Sequence, residues 1–352
     1  MGRALLSIMV MSVLVPLDAL GDPGAVASLD TAWVTRVASR LAVPPVGTST
    51  SVWVAKKGAV QAHSLTDGSR RFRHRVSGSV RLYDMGGDSV LALRRYLKGS
   101  VSVFGSDPIR LLYRHTPGRR ILAADCRGSL IAVLLGHGSV GLLSGPQWMP
   151  KAFPRASVQG WATVQVACAG DDTVLVFSRR DGQTMVLRGD SLIALGTVFR
   201  GGVIEAAGFG DRLVLVGAEG TLALLDEDCS VVWECTLTAG LQFDPIVHDG
   251  RIWAALRNRR LVLIDMRHGE FLGDVPLSGP LSCPMTPWHD GVAWATFDGH
   301  VSGVFDTRLS PVRIAALARP PVGIASAGTR IVIACEDGHL VCLQSPAEHR
   351  ER

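Results

Sequence analysis

One short hairpin, repeated along the chain, limits what this sequence can fold into. In residues 285–346 two copies stand side by side. Val292-Ala293-Trp294-Ala295-Thr296 and Ile331-Val332-Ile333-Ala334-Cys335 are apolar runs. Each ends in a turn, Phe297-Asp298-Gly299-His300 or Glu336-Asp337-Gly338-His339, and a second run follows. Asp-Gly between two apolar runs signals a hairpin, because glycine accepts the positive φ that a tight turn demands. Anchored on this turn, equivalent positions fall at Gly58, Gly99, Gly138, Gly182, Gly220, Asn258, Gly299 and Gly338, with a mean step of 40 residues. That is the period of a four-stranded propeller blade.

Two further landmarks keep the same register. Five residues before the anchors stand Trp53, Arg94, Val133, Phe177, Leu215, Trp253, Trp294 and Ile333, all apolar but one. A Gly/Asp turn opens most of the hairpins, as in Gly170-Asp171-Asp172, Gly210-Asp211, Asp249-Gly250 and Asp290-Gly291. Each unit then divides into a short inner strand rich in small residues (Ile204 to Gly208), the Gly-turn hairpin, and an outer strand (Val231 to Cys235). The last unit runs out after Leu343 without an outer strand, whereas Thr31 to Val37 is a spare strand near the start. The expected fold is therefore all-β: an eight-bladed propeller of four-stranded antiparallel blades, its ring closed by the N-terminal strand. Closure of this kind removes an exposed sheet edge.

The first 21 residues read differently. Arg3 precedes an apolar run from Ala4 to Leu17, and small residues surround Gly21, which is the pattern of a secretory signal. The run is shorter than the roughly 20 residues of a membrane span. The expected organisation is a signal peptide at 1–21, the propeller at 22–346 and a polar tail at 347–352. The expected location is the periplasm or another exported compartment, with no transmembrane span in the mature chain. Seven cysteines, an odd number with no zinc or thioredoxin spacing, read as buried thiols. Cys335 and Cys342 flank one hairpin and are expected to share a sheet face.

The chain carries 36 Lys and Arg against 31 Asp and Glu, a net charge of +5. The basic clusters, among them Arg70-Arg71-Phe72-Arg73 and Arg119-Arg120, are spread along the sequence rather than concentrated with aromatics. This argues against nucleic acid as the partner. Several clusters fall at the anchor turns: Lys56 and Lys57, Arg94 and Arg95, Arg179 and Arg180, and Arg257, Arg259 and Arg260. Loops at one point of every blade emerge on one face, so these residues are the candidate basic docking rim. Such a rim is either a solvated edge or a docking face for an acidic partner.

The first unit contains Ala62-His63-Ser64-Leu65-Thr66-Asp67-Gly68-Ser69-Arg70-Arg71-Phe72. This resembles the quinoprotein-type (PQQ-like) repeat, roughly Ala-x-Asp-x-x-Thr-Gly-x-x-x-Trp, and Leu224-x-Asp226 with Trp233 is a looser copy. The family's repeat implies that a Trp of the outer strand packs against the turn of its own blade. An exported chain of this size with eight degenerate blades is similar to the BamB-like scaffolds of outer-membrane β-barrel assembly. That resemblance implies a non-catalytic role: a protein–protein interaction scaffold, monomeric by itself, whose partner is the outer-membrane barrel-assembly protein. Lipoprotein members carry a Cys at the cleavage site, where Gly21-Asp22 stands here.

Quinone-dependent dehydrogenases share the repeat, and their site needs a catalytic Asp, Ca²⁺ ligands and usually a stacking Trp. This chain lacks the adjacent Cys pair frequent there, its Asp residues lie mostly in turns, and it is about half the length of such enzymes. No nucleophile elbow or phosphate-cradling loop appears. No cofactor and no enzymatic activity are expected. His248 and His289 occupy matching turns of adjacent units and read as turn-capping residues beside Asp249 and Asp290 rather than metal ligands. The alternative reading is a periplasmic or surface ligand-binding or sensor propeller that uses its central channel.

Overall fold

A computed structural model describes residues 29–344 apart from 39, 42, 87, 95–98, 137–138, 145–146, 152–160, 190 and 305–308. The expected signal segment and C-terminal tail lie outside the described residues. Every regular element described is a strand, and the strands form eight antiparallel sheets of four. Seven blades follow chain order from inner to outer strand. The first runs Val46–Gly47, Ser51–Lys56, Ala59–Ser64, Arg70–Arg75. In the eighth, Pro321–Ala327, Arg330–Cys335 and His339–Gln344 come from the end of the chain, and the outer strand is Asp30–Arg36. Asp30 stands opposite Gln344 and Arg36 opposite His339, so the N-terminal strand closes the ring as expected.

The middle strands of each blade are buried on both faces because each face packs on a neighbouring blade. That is why they read as continuous apolar runs, while outer strands such as Arg70–Arg75 alternate exposed and half-buried. Among the described residues the core divides into eight clusters, each lying between two adjacent blades. Val52, Val54, Val332 and Cys342 join blades eight and one, and Trp53, Ala62, Val90 and Phe104 join blades one and two. The inner strands crowd around the axis. A Cβ on Gly208 of blade five would land on the carbonyl oxygen of Cys168 in blade four. Small residues on inner strands thus follow from direct backbone approach.

The anchor turns differ in detail from a two-residue hairpin. In each of several blades the glycine N–H closes the turn onto the carbonyl three residues earlier: Gly220 to Gly217, Gly299 to Thr296 and Gly338 to Cys335, each at 3.0 Å. The glycine itself takes the positive φ (93°, 84° and 87°), as in a type I turn followed by a left-handed residue. In blade six that position belongs to Arg259 (φ 62°) rather than Asn258.

Two contacts correct the sequence reading. Trp233, on the outer strand of blade five, packs on Gly269 in the turn of blade six and donates to the carbonyl of Met266 at 3.1 Å. Trp33, on the closing strand of blade eight, does the same to blade one, lying over Gly68 and donating to Leu65 at 2.7 Å. The outer-strand Trp therefore staples its blade to the next one, not to its own turn. Cys335 and Cys342 do not share a face either. Cys342 lies opposite Val332, three positions from Cys335, so one thiol faces blade seven and the other blade one. All seven cysteines are free; Cys168 is exposed and Cys126 and Cys235 are half-buried, so the buried-thiol reading applies to the other four.

Candidate functional site

The anchor turns and the blade-to-blade links emerge at one end of the ring; the other two turns of every blade emerge at the opposite end. This splits the loop charge. Among the described residues the anchor-turn end carries Lys57, Arg119, Arg120, Arg180, Arg200, Arg257 and Arg259, besides Arg40 and Arg319, which pair with Glu336 and Asp337. Its other acidic loop residues are Asp181, Glu219, Asp244 and Asp298. Among the described residues, loops at the opposite end carry eleven acidic residues, Asp226, Glu227 and Asp228 among them, against one arginine, Arg267. Asp67 and Asp226 there accept turn N–H groups from Ser69 (3.0 Å) and Ser230 (2.8 Å), so turn chemistry puts carboxylates at that end.

Four residues of the candidate basic rim are engaged by the fold. Lys56 is half-buried and donates to the carbonyl of Val37 at 2.9 Å, tying blade one to the closing segment. Arg94 donates to the Ser77 hydroxyl, and Arg260 pairs with Asp274 across its own blade. Arg179 donates to Gln183 at 2.9 Å and lies over the Trp161 ring, 5.5 Å from its centroid. Lys57, Arg180, Arg257 and Arg259 are exposed on the anchor-turn end. Arg95 lies outside the described residues.

The axis holds a feature that the sequence reading missed. Asp125 on the inner strand of blade three, Glu205 on that of blade five and Asp244 before that of blade six interact electrostatically. These blades are not all neighbours, so the three charges feel one another across the axis of the ring. Arg127 lies 3.8 Å from Glu205, and Arg81 offsets Asp244. Asp125 also accepts the N–H of Val166 at 2.7 Å. Burial, reinforced by Asp125, pushes the Glu205 carboxyl up to about 8; burial, opposed by the Val166 N–H, pushes Asp125 to about 6. Between the inner-strand ends of blades two and three a cavity of about 600 Å³ is lined by Asp84, Met85, Cys126 and Arg127. Asp125, Glu205 and Asp244 come from three different repeats, without a shared motif to link them.

His248 and His289 do not occupy matching positions: His248 ends the inner strand of blade six opposite Arg251, where blade seven has Trp288, and His289 is the first turn residue of blade seven with φ 51°, where blade six has Asp249. No cluster of three or more His, Cys, Asp or Glu placed to hold a metal occurs among the described residues. No helix there is long and apolar enough to cross a membrane.

Ring architecture, period and turn chemistry define the chain as an eight-bladed propeller of quinoprotein-type repeats. Its sequence matches the family described as outer membrane protein assembly factor BamB over residues 170–345, half of the chain, and the protein belongs to that family. No curated protein is similar to it in sequence. Among solved structures, BamB from Moraxella catarrhalis is similar at 14% identity and a TM-score of 0.62, covering 90% of this chain and 99% of that one. A computationally designed protein, Ika8, is similar at 12% identity and a TM-score of 0.71 (89% and 99% covered). Sqt1 of Saccharomyces cerevisiae is similar at 11% and 0.69 (91% and 100% covered). At these identities the structural likeness speaks for the fold alone.

Proposed function

We propose that this propeller is a non-catalytic interaction scaffold, exported to the periplasm, that docks an acidic partner of the outer-membrane barrel-assembly machinery on its anchor-turn end. The observation that carries the reading is the split of loop charge between the two ends of the ring. Lys57, Arg180, Arg257 and Arg259 are exposed there, on turns held by closed backbone hydrogen bonds. A rigid frame with a charged end steers a partner and fixes its orientation. Membership of the BamB family supports a protein partner and a location at the periplasmic side of the outer membrane.

In-cell crosslinking of the full chain, followed by mass spectrometry, tests this. The expected capture is an outer-membrane barrel-assembly protein, lost when Lys57, Arg180, Arg257 and Arg259 are all changed to Glu. Capture of no such protein, or equal capture by the quadruple variant, overturns the reading. A ligand-binding propeller is the second reading, favoured by the carboxylates of Asp125 and Glu205 at the axis and the cavity between blades two and three.

A further inference from the structure

The outer strands of blades one and two, Arg70–Arg75 and Ile109–His115, stand next to each other on the circumference of the ring. Their sequences, RRFRHR and IRLLYRH, place Arg70, Arg71, Arg73, Arg75, Arg110 and Arg114 in exposed positions. The intervening rings turn inward: Phe72 and His74 pack on Phe104 of blade two, with centroids 5.8 and 5.4 Å apart. None of the six arginine side chains has an ion pair or hydrogen bond among the described residues, although Arg71 acts on Asp67 at longer range. The acids nearest in sequence, Asp67 and Asp107, lie in the turns that lead into these strands, and Asp67 is bonded to Ser69.

The positive field is dense enough to be felt by its neighbours. After burial itself, Arg73 and Arg70 hold the Lys56 ammonium below its usual range, and Arg114 does the same to His74. Protection of a sheet edge does not explain so many charges. The outer strands of blades five and six leave Val231, Val232, Phe271 and Leu272 exposed without such a ladder.

We propose that this arginine wall is a second docking surface, separate from the anchor-turn end, and that it takes an extended acidic segment of a protein partner. Arg71, Arg73 and Arg75 alternate along one strand and so repeat about every 6.7 Å. Alternate carboxylates of an extended polypeptide repeat at the same interval, and guanidinium groups pair with carboxylates two bonds at a time. A nucleic acid strand would want exposed rings to stack its bases, and here Phe72 and His74 face the core. An anionic membrane would want a plane of charge with apolar anchors, whereas the charges follow two strand edges around a curved wall with Leu112 as the exposed apolar side chain between them.

The test uses the purified full chain and a fluorescein-labelled peptide of alternating Glu and Thr, with a Gln-for-Glu peptide as control. Anisotropy should report binding that weakens steeply with added salt and is absent for the control. The triple variant Arg71→Gln, Arg73→Gln, Arg75→Gln should bind at least tenfold more weakly, with an unchanged unfolding midpoint because these side chains are exposed. Arg110→Gln with Arg114→Gln, on the neighbouring strand, should weaken it in the same direction. The quadruple variant of the anchor-turn end should bind the peptide like wild type, so failure of one surface is distinguishable from failure of the other. Equal binding of the two peptides, or of wild type and the triple variant, overturns the proposal. So does wall-dependent binding of single-stranded DNA or phosphatidylglycerol vesicles with no binding of the acidic peptide.

Discussion

Replacing Glu205 by Gln should make this protein more stable in alkaline solution while leaving its stability near pH 5 almost unchanged. Glu205 sits on an inner strand with a quarter of its side chain in contact with water. Burial, then the nearby Asp125 carboxylate, raise its proton affinity from 4.5 to about 8, against the opposing pull of Arg127. The sign follows from proton counting. Between these two pH values the folded chain holds a proton that the unfolded chain has released, so stability falls as pH rises through the window. At ~1.4 kcal/mol per pH unit the loss is at most ~5 kcal/mol, and partial solvent access reduces it to on the order of 2–3 kcal/mol. Gln cannot ionise and keeps the shape. Urea unfolding of wild type and variant at pH 5, 7 and 9 should therefore show an advantage for the variant that grows from near zero to about 2–3 kcal/mol. Asp125, raised to about 6, leaves a smaller slope in the same direction below pH 7. A difference between the two proteins that is constant with pH would refute the reasoning, because it would mean that Glu205 titrates alike in both states.

Two further expectations concern the frame. Trp33→Ala removes the ring stacked on Gly68 and the hydrogen bond to Leu65 at the joint where the ring closes, and should cost about 3–5 kcal/mol in urea unfolding; a loss under ~1 kcal/mol would mean that closure rests on backbone pairing alone. Gly208→Ala places a methyl group on the carbonyl oxygen of Cys168 and should abolish soluble expression, whereas Gly210→Ala, two residues on and facing open space, should cost only about 1 kcal/mol through its positive φ. Equal yields of the two variants would contradict the close approach of inner strands.

Sequence reasoning read the anchor-turn loops better than the surfaces. The rim residues were visible because they recur at the turns, and turn position fixes the end of the ring from which a loop emerges. What each side chain does there was not visible. Lys56 reaches Val37, and Arg94 reaches Ser77, each in the link that leads into its own blade, contacts that no turn motif encodes. Arg70 to Arg73 stood out as a cluster, but Arg75 did not, and its neighbours Arg110 and Arg114 lie a blade away in sequence.

The sequence by itself determined the number of blades, the strand order within each and the strand that closes the ring. Those properties depend on local chemistry: an apolar period, a glycine able to take positive φ and a unit left without an outer strand. Only the tertiary structure decided what happens between blades. It sends Trp33 and Trp233 onto the next blade's turn, turns Cys335 and Cys342 to opposite faces, gathers Asp125, Glu205 and Asp244 on the axis and aligns the arginines of two outer strands. The reason is geometric. Partners in these contacts come from different repeats, and a one-residue shift in a strand exchanges its two faces, so no local pattern can specify them.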